Sequence, residues 1–157
     1  MQNSFTLLEA IKKLEHFCAY QERCHKEVIQ KLRDMHMNSS EIDEVVVHLI
    51  EHNFLNEERF AYSFSRGKHR IKGWGKIRIV NELKFRDISK RNIDNALKEI
   101  SEEEYLETFN KLSENQWENV RESNVLKKRK KVCDYLLRKG YESDLIYAKV
   151  KELEFNK

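Results

Sequence analysis

The sequence predicts an all-α protein of three tandem three-helix repeats, each helix-turn-helix-like, stacked into an elongated, curved array. Three observations predict it. Apolar residues return at three- and four-residue steps through nine successive stretches, the period of amphipathic helices. Proline is absent and 36% of the residues are charged, the composition of a helix-rich, highly solvated chain. The third observation is an internal repeat. Val28, Leu32, Met37, Ile42, Val46 and Leu49 recur 51 positions on as Ile79, Leu83, Ile88, Ile93, Leu97 and Ile100. They recur 53 positions later as Val132, Leu136, Tyr141, Ile146, Val150 and Leu153. Units of about fifty residues bury little alone and stack on their neighbours. The boundaries predicted are 1–54, 55–100 and 101–157.

The elements follow in order. Leu7, Ile11, Leu14 and Cys18 make one face of a helix ending near Tyr20, and Val28, Ile29 and Leu32 make one running from His25 to Met35. Asn38 caps a third helix, whose apolar face holds Ile42, Val45, Val46, Leu49 and Ile50. Asn56 caps the fourth, with Glu57 and Glu58 in its first turn and Phe60, Ala61 and Phe64 inward. Gly67 weakens that helix and Gly73 ends it. A fifth runs from Gly75 to Phe85, and a sixth begins after Ser89. Ser101 and Glu104 have the spacing of a capping box for a seventh. The eighth spans Asn124 to Lys139 and stops at Gly140, and the ninth spans Ser143 to Phe155.

Several functional classes find no support. No apolar run approaches the roughly 18 residues that cross a bilayer, and the N-terminal stretch lacks the basic start of a secretory signal. Three unpaired cysteines (Cys18, Cys24, Cys133) suit a reduced, cytoplasmic setting. His48 and His52 lie four apart, and His16, Cys18, Cys24 and His25 cluster loosely, yet the tight paired spacings of zinc ligands are missing. No phosphate loop, nucleophile elbow or metalloprotease helix occurs. The expectation is a protein that is not an enzyme and carries neither metal nor cofactor.

Charge is segregated along the chain. Ser65–Arg91 holds ten Lys/Arg against two acids, a local charge of +8 in a chain of net +3. Residues 39–58 carry six acids and no Lys or Arg, and 101–122 seven acids against two bases. Residues 127–139 return to seven bases against Asp134. Basic blocks of this kind suit a phosphate backbone or an acidic protein face. On the fourth helix, Arg66 with Arg70 and Lys68 with Lys72 stand four apart and draw a basic ridge. Gly73-Trp74-Gly75 reads either as a turn pinned by a buried indole or as the device that aims Arg70, Lys72 and Lys76 one way.

The central stretch also carries a resemblance. Phe54-Leu55-Asn56-Glu57-Glu58-Arg59-Phe60-Ala61 resembles a signature of the RecX family. Lys72-Gly73-Trp74-Gly75, followed by Ile79 and Glu82-Leu83, is similar to that family's second motif. In the first repeat Gln21-Glu22-Arg23-Cys24 keeps only Arg23 of the family's pattern, and Cys24 is a poorer helix cap than serine. The third repeat keeps Lys139-Gly140-Tyr141. The resemblance implies three tandem three-helix modules and a cytoplasmic, monomeric protein. It implies binding to the RecA recombinase filament, with inhibition of RecA ATPase and strand exchange. Contact residues expected for filament and DNA phosphates are Arg66, Lys68, Arg70, Lys72, Trp74, Lys76 and Arg78, then Lys84 and Arg86, with Lys127, Lys128, Lys130 and Lys131 in the third repeat. Phe54, Leu55, Arg59, Phe60, Ala61, Gly73, Gly75 and Leu83 are expected to be structural, Arg59 pairing with an acid near Glu58 or with Asp94. The other reading is a stand-alone, non-specific DNA-binding protein. Gly75-Lys76-Ile77-Arg78 offers a recognition helix only cations and apolar groups, which argues against base reading.

Overall fold

The computed structural model describes residues 5–156. They form nine α-helices and no strand: α1 (Leu7–Tyr20), α2 (His25–Asp34), α3 (Ser39–Glu51), α4 (Glu57–Lys72), α5 (Lys76–Phe85), α6 (Lys90–Lys98), α7 (Glu102–Asn119), α8 (Val125–Lys139) and α9 (Ser143–Phe155). The closely packed helix pairs fall inside the triplets α1–α3, α4–α6 and α7–α9, called units one, two and three below. The accessible surface is 10355 Å², against about 8,400 Å² for a compact chain of this mass. An array of small modules exposes that excess.

Local chemistry accounts for the helix ends. Thr6 and Glu9, and Asn38 and Glu41, form reciprocal capping boxes. Asn56, Ser89, Ser101 and Asn124 each accept the backbone N–H of the third residue of the helix that follows. The predicted Ser101–Glu104 box is only half made. The Ser101 hydroxyl accepts the Glu104 N–H at 3.1 Å, while the Glu104 carboxylate points away to Arg70.

All eighteen repeated apolar positions are buried or half-buried, and the repeat extends to the backbone. His36 (φ 62°), Asp87 (φ 60°) and Gly140 (φ 99°) hold equivalent places after the second helix of each unit, and all three are left-handed. The core is nevertheless not divided three ways. Unit one packs around Leu14, Leu32, Val45 and Leu49. Units two and three share one continuous core that includes Ile79, Leu83, Phe109, Leu136, Tyr141 and Ile146.

Glycine makes that shared core possible. A Cβ on Gly75 would lie 2.4 Å from the Gly140 carbonyl carbon, and one on Gly140 would lie 2.3 Å from Arg78 Cβ. Both distances are shorter than atoms can approach. Gly140→Ala is therefore expected to cost about 2–5 kcal/mol, combining left-handed strain with overpacking. Gly67 lies inside α4 with nothing within 4 Å of its would-be Cβ. Gly67→Ala should instead stabilise by roughly 0.5–1 kcal/mol. Thermal melts by circular dichroism check both, and equal effects would disprove the role given to Gly140.

Candidate functional site

The site is built where two glycine turns meet. Gly73 ends α4 in the left-handed conformation (φ 69°), Trp74 follows, and Gly75 opens α5. Opposite lies the turn Lys139-Gly140-Tyr141 at the end of α8. Gly75 N–H donates to the Lys139 carbonyl at 2.7 Å and Ile77 N–H to the Gly140 carbonyl at 3.0 Å. The Tyr141 hydroxyl donates to the Gly73 carbonyl at 2.9 Å. Among the described residues, apart from the Leu55 N–H to Leu49 carbonyl bond in the link after α3, the Gly75 and Ile77 bonds are the only backbone–backbone ones that join one unit to another.

Beneath the turns lies a layer of rings. Tyr105 accepts the Lys76 N–H at 3.0 Å and donates to the Glu142 carboxylate. His69, fully buried, donates Nδ1–H to the Trp74 carbonyl at 3.0 Å and stacks on Tyr105. Burial pushes the Tyr105 phenol far up, and the hydrogen bond to Glu142 pushes it the same way. Burial likewise raises the phenol of Tyr141. Both remain neutral donors across the physiological range.

Cations of two units gather around this joint, held by rings and carbonyls. Lys68 Nζ lies 5.0 Å from the Trp74 ring centroid, Arg78 packs on the same ring at 4.1 Å, and Lys76 Nζ lies 4.6 Å from that of Tyr105. From unit three, Lys139 Nζ donates to the Lys72 carbonyl at 2.9 Å, and Arg78 donates to the Arg138 carbonyl. Cation–π contacts hold a side chain in place and leave its charge uncompensated. Lys139 is missing from the contacts expected from sequence, because its reach to the Lys72 carbonyl depends on how units two and three dock.

The structure corrects several expectations. Trp74 is half-buried at the rim of the core, not sealed inside it. The ridge on α4 divides in two. Lys68 and Lys72 line a groove of about 350 Å³ with Phe64, Ile71, Arg86 and Glu22. Arg66 and Arg70 face α6 and the start of α7. Arg66 donates to the Tyr62 hydroxyl, and Arg70 Nε pairs with Glu104 at 2.8 Å. Arg70 is thus a clamp between units two and three, not a free contact. Arg86 pairs with Glu82 and packs on Phe64, whereas Lys84 is exposed.

On α8, Lys130 pairs with Asp134 and Lys131 with Glu122, while Lys128 covers Trp117. Lys127 is exposed. This group lies roughly 12–18 Å along α8 from Lys139, at 1.5 Å per residue, so it does not join the central cations. Arg59 takes neither expected partner. It grips Glu22 at 2.7 Å and donates to the Asn53 and Phe54 carbonyls. His48 pairs with Glu15 and stacks on His52.

Residues 56–97 match the model of the RecX second three-helix domain, and residues 102–150 that of the third. The chain belongs to the RecX family. Regulatory protein RecX of Clostridium acetobutylicum is 30% identical over 135 residues, which cover 83% of this chain and 62% of that protein. Regulatory protein RecX of Bacillus cytotoxicus is 26% identical over 141 residues, 90% of this chain and 52% of that one. The chain thus spans between half and two-thirds of the length of these relatives. The crystal structure of RecX from Lactobacillus salivarius superposes with a TM-score of 0.78 at 24% identity, covering 94% of this chain and 96% of that one. A second crystal structure of regulatory protein RecX gives 0.82 at 21% identity, covering 93% and 73%. At these identities the likeness concerns the fold. No helix among the described residues is long and apolar enough to cross a membrane.

The Arg70–Glu104 clamp has a pH signature. The Arg70 guanidinium, through its hydrogen bond, holds the Glu104 carboxyl below the usual carboxylate range. A depressed native pKa adds stability above the ordinary carboxylate value and loses it as pH falls through the native one. Between neutral pH and the acid limb the melting temperature should therefore fall less steeply for Glu104→Gln than for the wild type. Parallel slopes would mean that the pair contributes nothing to the joint.

Proposed function

We propose that this chain is a non-enzymatic regulator of homologous recombination and DNA repair. It binds the RecA recombinase and its nucleoprotein filament and lowers RecA ATPase activity and strand exchange. It acts in the cytoplasm as a monomer. Membership of the RecX family supports the reading, and one observation carries it: cations of units two and three converge on the glycine joint without carboxylate partners among the described residues. Lys68, Lys72, Lys76, Arg78 and Lys139 then form a fixed basic surface spanning two modules. Such a surface can meet acidic protomer faces and DNA phosphates of one filament together, and each added contact raises the apparent affinity of the others. Occupying the filament groove in this way would block entry of a second duplex.

The joint also favours a second reading, direct and non-specific DNA binding. Trp74, half-buried and flanked by Lys68 and Arg78, offers a ring beside phosphate-binding charges. Capture on RecA–single-stranded DNA filaments, free RecA and naked DNA, side by side, separates the two. Preferential capture on filaments supports RecA regulation, and equal capture on naked DNA supports the second reading.

The probe of choice is Lys68→Glu with Lys72→Glu. Neither lysine forms an ion pair among the described residues, so melting should change little while inhibition of RecA ATPase falls strongly. Arg70→Glu is a poorer probe, because it sets a carboxylate against Glu104. Full inhibition by the double variant would remove the central surface from the mechanism.

Direct DNA binding should be weak and sequence-independent. Four or five phosphate contacts at roughly 0.9 each on duplex DNA give a slope of log affinity on log salt of about −3.6 to −4.5. A titration with slope near zero would show that these cations do not meet phosphates.

A further inference from the structure

The two joints of the array occupy equivalent places and are built differently. In both, the start of one unit's second helix meets the end of the next unit's second helix. Between units two and three the contact is Gly75 against Gly140, sealed by two backbone hydrogen bonds over a continuous core. Between units one and two the equivalent positions are Cys24 and Asp87, and both carry side chains. There the Lys26 ammonium donates to the Phe85 carbonyl at 2.8 Å, and among the described residues no backbone–backbone bond crosses between the second helices, the Leu55 N–H to Leu49 carbonyl bond lying in the link itself. Among the described residues, Cys24 is the one unit-one side chain buried in the second core.

Each joint also has an ion pair from the third residue of the following unit's first helix, with the charges reversed. Glu104 takes Arg70 between units two and three, and Arg59 takes Glu22 between units one and two. At the first joint the backbones do not close up, and grooves remain on its flanks. One of about 350 Å³ includes Glu22, Glu27, Lys68 and Arg86, and another of about 310 Å³ includes Lys26, Glu57 and Asp87.

We infer that unit one is a hinged arm on a rigid body made of units two and three, latched by Arg59–Glu22 and Lys26–Phe85. The hinge is the short link from Asn53 to Asn56, where Asn53 is left-handed (φ 62°). The latch consists of a half-exposed ion pair and one ammonium–carbonyl bond, and both weaken with salt. Opening widens the groove that bears Lys68 and Lys72. This motion is independent of which partner the chain binds.

Spin labels test it in the whole chain. Lys12, Lys98 and Lys151 are exposed, one in each unit, and accept labels as Lys12→Cys, Lys98→Cys and Lys151→Cys. The native Cys18 and Cys24 are buried, their thiols pushed up to about 11 by burial, and Cys133 is buried too. All three stay unlabelled at neutral pH. Double electron–electron resonance should give a broader distance distribution for the 12–151 pair than for the 98–151 pair. Glu22→Gln and added salt should broaden the first further and leave the second alone, with circular dichroism checking that the variants remain helical. Equally narrow distributions for both pairs would overturn the hinge. A 12–151 spread that ignores both Glu22→Gln and salt would overturn the latch.

Discussion

The contact between Gly75 and Gly140 is the constraint on which the rest of the molecule depends. Two backbones approach until no Cβ fits between them, and that closeness allows the two interunit backbone hydrogen bonds to form. It sets Tyr141 under the Gly73 carbonyl and Tyr105 under the Lys76 amide. It also lets one core run from α4 to α9. Buried hydroxyls without partners would each cost about 1–3 kcal/mol. The tyrosines are therefore tenable only while the turns stay docked. Packing, polar satisfaction and the placing of the cations all follow from one pair of absent side chains.

The same contact sorts the charges. A cation that meets a carboxylate is largely neutralised at long range, as Arg70, Lys130 and Lys131 are. One that rests on an aromatic face keeps its charge for a partner. Rings collect at the joint because it is the place where the half-buried rim of the core meets solvent. The basic surface is thus a by-product of how two modules dock, and its position is fixed by the core.

Whatever was encoded locally was legible in the sequence. Helix periodicity, the caps at Asn38, Asn56 and Ser101, and the stops at Gly73 and Gly140 each depend on residues within a turn or two. The repeat was legible because six apolar positions recur in register. Partners across units were not. Arg59 finds Glu22 from 37 residues away and Arg70 finds Glu104 from 34, and spacing on one helix carries no information about either. The sequence leaves Trp74 open between a buried anchor and an exposed contact, because its depth depends on Lys68 and Arg78 covering it. The turn glycines were visible from the start, but the reason for them was not, since each is explained by the other.

Repetition usually equalises the interfaces of an array. Here the repeat is preserved in the helices and broken at the joints. Position by position, Cys24 and Asp87 stand where Gly75 and Gly140 stand one unit later, and a short-range backbone seal gives way to a charged latch. A side chain at either place is enough to hold the backbones apart, so stiffness need not be built through the core at all. Under the proposed function, in which several partner sites are gripped at once, this division has a mechanical consequence. The stiff pair presents its cations at fixed separation, which keeps the effective concentration of the second contact high, while the compliant unit adjusts to what lies beside it. A wholly rigid array would need every site in register, and a wholly flexible one would lose to disorder what it gained in contacts.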